Sequence, residues 1–380
     1  MKVGIITIIK VDNYGAELQA YALQRKLELM GNESEIIDYL YYKNKAFLRE
    51  KKHGVCFDYP FKLFIREKWL VVKDFMSRLI FTKSYRKRQY EFEQFHKKNT
   101  KFSNCYRSYS ELYDNPPCYD IYCVGSDQVW NPGNYTNLDP YFLTFAAKGK
   151  RKISYASSFG VSQIPKEAEH YYKEKLNGLD SISVREAVGV KLVQDIAQRD
   201  AMAVLDPTLL LNEEEWQKVE VPVSDIPHDF LLIYELKRND YLRLLAKRVA
   251  KQRQLDIVRL CSSVYPVEKD GSVINITTVG PGGFIYLFRH ANFVITNSFH
   301  GTAFSINFSK PFYSVSSHGR ANNSRQESLL TMCKLADRML YDDMQMPSSE
   351  NFKIEYQIPQ SLLEAERESS LNYIRSVINA

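Results

Sequence analysis

The sequence predicts an α/β protein built on parallel sheets, and three observations carry that expectation. Apolar runs rich in β-branched residues recur without polar alternation at 3–9, 119–124 and 293–295, the pattern of strands buried on both faces. Each run leads into a polar segment that holds glycine: Asn13-Tyr14-Gly15, Gly125-Ser126-Asp127 and Thr296-Asn297-Ser298-Phe299-His300-Gly301. Helix-length stretches then alternate with further strands along the chain, which is the rhythm of strand–helix–strand units.

The strand at 3–9 leads into an amphipathic helix from Ala16 to Met30, which Gly31 stops. This first unit ends near Tyr39, and a long segment at 41–118, rich in Tyr, Phe, Lys and Arg, interrupts the first domain. Strands follow at 119–124, 152–157, 181–185 and 202–205, with helices at 165–178 and 186–198. The acidic, proline-containing stretch 212–229 is the linker candidate. A second domain restarts with a strand at 229–236, a helix from about Asn239 to Gln252, a strand at 256–260, a helix at 281–290 and the strand beginning at Phe293. A helix at 359–380 closes the chain. The expected domains are therefore 1–215 and 216–358, as befits 380 residues, more than one core usually supports.

Seven segments occur in an order that resembles the polysaccharide pyruvyl transferase family: NYGAELQAYALQ at 13–24, VGSDQVWNP at 124–132, ISYASSFG at 153–160, ISVRE at 182–186, VLDPTLLL at 204–211, TNSFHGTAFSINFSKPF at 296–312 and NSRQESLL at 323–330. The resemblance implies two Rossmann-like domains facing across a cleft, the GT-B arrangement, with a helical insertion in the first. It also implies an N-terminal acceptor domain, a C-terminal donor domain and a last helix packed back on the first. The implied activity moves the pyruvyl group of phosphoenolpyruvate onto a sugar as a ketal, in surface polysaccharide biosynthesis. Phosphoenolpyruvate is then a substrate and no cofactor is expected. Two alternatives stay open: a GT-B glycosyltransferase using a nucleotide sugar, for which domain two lacks an obvious acidic ribose partner although Asp206 and Glu235 remain candidates, and a non-catalytic sugar-binding protein.

Ligands of parallel sheets collect at the carboxyl ends of strands, where helix starts hold anions. His300 and Gly301, with Ser298, therefore stand where a phosphate or carboxylate is held. Arg185 and Arg325, both in matching motifs, supply the forks that a doubly anionic donor calls for. Ketal formation needs a general acid and a general base. His300, which titrates near neutral pH, suits the donor side, and Asp127 suits the acceptor hydroxyl, unless it serves as a turn cap. Asn13, Tyr14, Gly15 and Gln128 are placed for acceptor contact, and Trp130 suits either a sugar face or the interior. Some family members carry arginine two residues before the motif histidine; Ser298 stands there in this chain. The missing charge then has to come from Arg185, Arg325, Lys310 or Arg320.

Charge and composition bound the partners. Residues 61–100 hold eleven Lys and Arg against four Asp and Glu, a larger surplus than the +6 of the whole chain. Apolar residues are threaded through that segment, so 61–90 suits either peripheral contact with an anionic membrane, where lipid-linked acceptors reside, or helices packed on the protein with solvated basic faces. No nucleic-acid motif accompanies it. The opening apolar run is too short for a signal peptide and no stretch approaches the roughly 18 apolar residues of a membrane span, so a cytoplasmic protein is expected. Six cysteines without a CxxC pair point to reduced thiols and no metal.

Overall fold

The computed structural model describes residues 1–48, 50, 81–134, 136–264, 271–318, 323–348 and 352–379. The chain divides into two compact units. The first comprises Met1–Leu70, Asn99–Leu210 and Glu366–Ala380; the second comprises Val71–Lys98 and Leu211–Ala365.

Twelve strands are described: β1 Lys2–Ile6, β2 Glu33–Ile36, β3 Ile121–Val124, β4 Arg151–Ser154, β5 Ser183–Val184, β6 Met202–Ala203, β7 Phe230–Glu235, β8 Asp256–Cys261, β9 Val273–Ile276, β10 Phe293–Thr296, β11 Phe312–Ser316 and β12 Met339–Tyr341. In the first unit four of them form a parallel sheet in the order β2-β1-β3-β4, and bridges from β4 extend it towards the parallel pair β5-β6. Val3 pairs with Ile121 and Ile5 with Ile36. From Val3 to Ile6 every β1 residue is buried, because helices cover both faces of such a sheet and leave no solvated side.

The second unit holds one six-stranded parallel sheet in the order β12-β11-β10-β7-β8-β9. The chain builds outward from β7 through β8 to β9, then returns to the other side of β7 and builds outward again from β10. Strand order thus reverses between β7 and β10, as it does between β1 and β3 in the first unit. Such switch points open a crevice at the carboxyl ends of the strands.

The helices start where local chemistry lets them. Asn13 caps Tyr14–Leu29 by accepting from the Gly15 and Ala16 amides at 3.0 and 3.4 Å. Asn212 and Glu215 form a reciprocal capping box at the start of Glu213–Gln217. This short helix lies inside the expected linker, and its Trp216 packs edge-on to Phe304, ring centroids 5.1 Å apart. The long insertion divides differently from expectation, since Thr82–Lys98 belongs to the second unit. Its Arg88 is buried and donates to the carbonyls of Cys261, Thr277 and Ser262 at 3.3, 3.3 and 3.4 Å. Arg88 is an internal tie to the end of β8 and not part of a lipid-facing surface. Residues 61–80 of the basic segment lie outside the described residues. Among the described residues no helix is long and apolar enough to cross a membrane.

Candidate functional site

Each unit gathers its chemistry at a switch point. In the first, Thr7 follows β1 and donates to the Ser126 carbonyl at 2.7 Å, while Gln19 donates to the Thr7 hydroxyl at 2.9 Å. These bonds fix the ends of β1 and β3 against the first helix. Asp127 comes next, with φ of 71°. Lys10, Asp12 and Ala156, in the loops after β1 and β4, are also left-handed, with φ of 54°, 54° and 52°. Non-glycine residues adopt this region at a cost and concentrate where surrounding structure enforces it, functional sites among them.

Behind Asp127 lies a buried charge cluster. Arg185, just past β5, donates from Nη1 to Asp206 Oδ2 at 2.9 Å; its Nη2 lies 3.8 Å from Asp127 Oδ1 and its Nε 3.7 Å from Glu186 Oε2. Ser126 and Thr208 donate further bonds to Asp206, and Ser158 donates to Glu186 at 2.6 Å. Burial opposes the guanidinium charge, but Asp206, Glu186 and Asp127 outweigh it, and its pKa is raised. Arg185 is 1 % exposed and Asp127 is 15 % exposed. The expectation that Arg185 clamps the donor is therefore disfavoured: its charge is met by three carboxylates and its side chain has almost no exposed surface.

The other residues expected at the acceptor side separate. Asn13 is a helix cap, Tyr14 is buried and Gly15 belongs to the first turn of that helix. Gln128 accepts from Asn131 at 2.6 Å and remains half-buried beside Asp127. Trp130 corrects the expectation of a sugar platform, because it is fully buried. It stacks on Phe142 at 5.3 Å and donates from its indole nitrogen to the Tyr141 carbonyl at 2.8 Å, so its ring offers no face to a ligand. Tyr41, two residues past Tyr39 in an aromatic-rich stretch, is buried, and burial, then Tyr42 and Tyr141, hold its phenol well above the ordinary value.

In the second unit the site is the turn from β10 into the helix Phe299–Asn307. Ser298 caps this helix, accepting from the Gly301 amide at 3.4 Å, while its own amide donates to the Thr296 hydroxyl at 3.0 Å. Gly301 is required by close approach, because a Cβ there would run into the Thr296 side chain. Asn297 spans the switch point: its carbonyl oxygen accepts from the Leu236 amide at 2.8 Å and its amide donates to the Lys237 carbonyl at 2.7 Å. His300 therefore sits in the first helical turn beside the crevice, packed edge-on to Phe299.

Arg325 joins it from the helix Asn323–Met332, with its guanidinium 5.8 Å from the Phe299 ring centre. Asn323, which donates to the Ser317 carbonyl at 2.8 Å and also bonds Ser316, fixes the start of that helix against the end of β11. Of the cations expected to replace the arginine absent at 298, Arg325 is the one placed against the ring of Phe299, which His300 also packs on. Lys310 lies past the far end of the helix Phe299–Asn307, beside Glu213 and Arg289. Arg320 lies outside the described residues. Glu235, once a candidate for ribose recognition, accepts from Arg243 at 3.0 and 2.6 Å and lies 3.7 Å from Arg259. Among the described residues no group of three His, Cys, Asp or Glu side chains could hold a metal ion.

The model of the polysaccharide pyruvyl transferase family matches residues 13–319, and the chain belongs to that family. Its fold is of the GT-B type. It is similar to a UDP-N-acetylglucosamine 2-epimerase from Rickettsia bellii, with a TM-score of 0.50, 10% identity and coverage of 100% of this chain and 96% of that one. An α-glucosyltransferase solved with UDP and a 13-mer DNA is equally similar, with a TM-score of 0.50, 8% identity and 100% of both chains covered. At these identities the likeness is one of fold alone. No curated protein matches the sequence.

Proposed function

We propose that this protein transfers the pyruvyl group of phosphoenolpyruvate to two hydroxyls of a sugar, forming a ketal and releasing phosphate. The observation that carries the proposal is that His300, in the first turn of a helix at a switch point, and Arg325 both pack against the ring of Phe299. A helix start attracts anions through its amides and dipole, and an arginine fork suits a phosphate or carboxylate. Ser298 caps the helix and leaves the charge to Arg325. Membership of the family supplies the reaction class.

The donor's C2=C3 electron pair takes a proton at C3, and His300 acts as the general acid on that side. C2 then bonds to the oxygen of the first hydroxyl, whose proton passes to Asp127. The second hydroxyl displaces phosphate, which leaves with the electrons of its bond to C2 and carries away the second proton. No redox change occurs and no cofactor is needed. The engagement of Glu235 by Arg243 and Arg259 weighs against a nucleotide-sugar donor.

The test is ligand-dependent stabilisation followed by turnover. A ligand that binds only the native state raises the thermal midpoint, so phosphoenolpyruvate should raise it and UDP-sugars should not. Candidate acceptors incubated with phosphoenolpyruvate should gain one pyruvylidene group with release of one phosphate. Transfer of a hexose from a nucleotide sugar, or no response to phosphoenolpyruvate, would overturn the reading.

A further inference from the structure

We infer that Arg185 is a positioning residue: its guanidinium, gripped by Asp206 and Glu186, holds the Asp127 carboxylate in place as the proton acceptor for the sugar hydroxyl. The inference rests on the proposed ketal-forming reaction and deepens it by assigning the machinery behind the base.

Three carboxylates share one guanidinium, and they do so unequally. Asp206 is fully buried and receives bonds from Ser126, both donors of Thr208 and Arg185. Glu186 is 4 % exposed and receives Ser158. Asp127 is held more loosely. Its Oδ1 accepts from the Gln128 amide at 2.8 Å and faces Arg185 at 3.8 Å, whereas its Oδ2 makes no hydrogen bond among the described residues. A proton arriving at Asp127 therefore displaces the fewest protein bonds, and Asp127 has the most exposed side chain of the three.

The backbone sets the spacing. The amide of Arg185 donates to the Ser157 carbonyl at 3.2 Å, and the next amide along, that of Ser158, donates to the Asp127 carbonyl at 3.0 Å. One short piece of chain thus fixes both the guanidinium and the carboxylate, and holds Asp127 at its left-handed φ. When the sugar O–H bond breaks, its proton goes to Asp127 Oδ2 and its electron pair forms the bond to C2 of the donor. Arg185 touches no reacting atom.

Charge gives this assignment a signature that simple structural support lacks. A carboxylate that loses a nearby cation holds its proton more tightly, and one that loses a competing anion holds it less tightly. Arg185→Lys, whose single point charge has no fork to span three carboxylates and settles on the nearer Asp206, withdraws the cation from Asp127; it should lower kcat on the order of ten- to a hundredfold through misplacement and move the acid limb of the rate–pH profile upward. Asp206→Asn frees the guanidinium for Asp127 and should move that limb downward. Neither variant should alter the midpoint shift produced by phosphoenolpyruvate.

Opposite displacements of the limb with unchanged donor binding support the inference. Loss of the phosphoenolpyruvate shift in Arg185→Lys, with the limb unmoved, overturns it and makes Arg185 a donor cation. Should Arg185→Lys fail to fold, Asp206→Asn decides alone: a limb that stays in place or rises overturns the inference. Full activity in Asp127→Asn removes the base itself, while absence of phosphoenolpyruvate turnover in the unaltered protein overturns the function and this assignment with it.

Discussion

At the switch point beside β3 the chain surrounds one guanidinium with Asp127, Glu186 and Asp206, whereas beside β10 it places Ser298, His300 and Arg325 around a helix start. Both edges have parallel strands, polar turns and burial, yet one is rich in carboxylates and the other offers a helix start with a histidine and an arginine against one phenyl ring. A parallel sheet supplies a place for chemistry without choosing its sign; the side chains of a few turn residues make that choice. On the proposed function, the first edge suits deprotonation of a hydroxyl and the second suits an anionic donor.

The comparison breaks most sharply at His300. His300→Ala should lower the rate of phosphate release on the order of a hundredfold or more, the scale of general acid catalysis, with an unchanged melting temperature; near-native release from a folded variant would remove the acid from the anion-receiving edge. Arg325→Lys keeps the charge but loses the fork and should raise the apparent donor constant roughly tenfold, equivalent to about 1.4 kcal/mol. Unchanged donor saturation would mean that the cation lies elsewhere.

Asn13→Ala separates a cap from an acceptor contact in the first unit. Loss of the cap should cost about 1 kcal/mol of stability, and Asn13→Asp should restore it. If Asn13→Ala instead raises the acceptor constant at constant stability, the residue touches sugar. Alkaline stability probes the same unit. Burial pushes the Cys123 thiol from 9.0 up to about 12, and Tyr141 and Tyr155 are raised by burial too. A folded-state pKa above the unfolded one means that the contribution is complete below about pH 9 and is lost as the pH rises towards 12. Denaturation midpoints measured across that window should fall, and Cys123→Ala should flatten part of the fall. The smallest effect is expected from exhaustive chelation, which should leave turnover unchanged; restoration of lost activity by a divalent metal would contradict it.

The strand ends were legible because a parallel sheet writes them as uninterrupted apolar runs closed by small polar residues. The helix at Pro281–His290 was expected at those residues, and His300 was expected at a helix start. Three things were not legible. Trp130 suited a sugar face or the interior equally, and the choice could not be read because Phe142, Phe159 and Tyr172, which enclose it, arrive from later segments that GSDQVWNP does not report. The surroundings of Arg185 depend on Asp127 and Asp206, carried by separate strands, so that a motif arginine suited to an anion turned out to be sheathed in acids. The partition of the insertion was hidden because its amphipathic pattern shows that a helix packs without showing against what.

The partition of the chain has a consequence for its birth. Unit one needs residues 366–380: Ser370 receives the Leu205 amide, Arg367 donates to the Leu209 carbonyl, and Arg151 donates to the carbonyls of Val377 and Ile378. Unit two, in turn, needs most of the helix Thr82–Asn99, which is made long before the carbonyls that Arg88 ties. Neither unit can be finished in the order in which the ribosome delivers it. The surface that receives Ile374, Val377 and Ile378 stays uncovered until those residues have been made, so the growing chain should depend on holding chaperones until then.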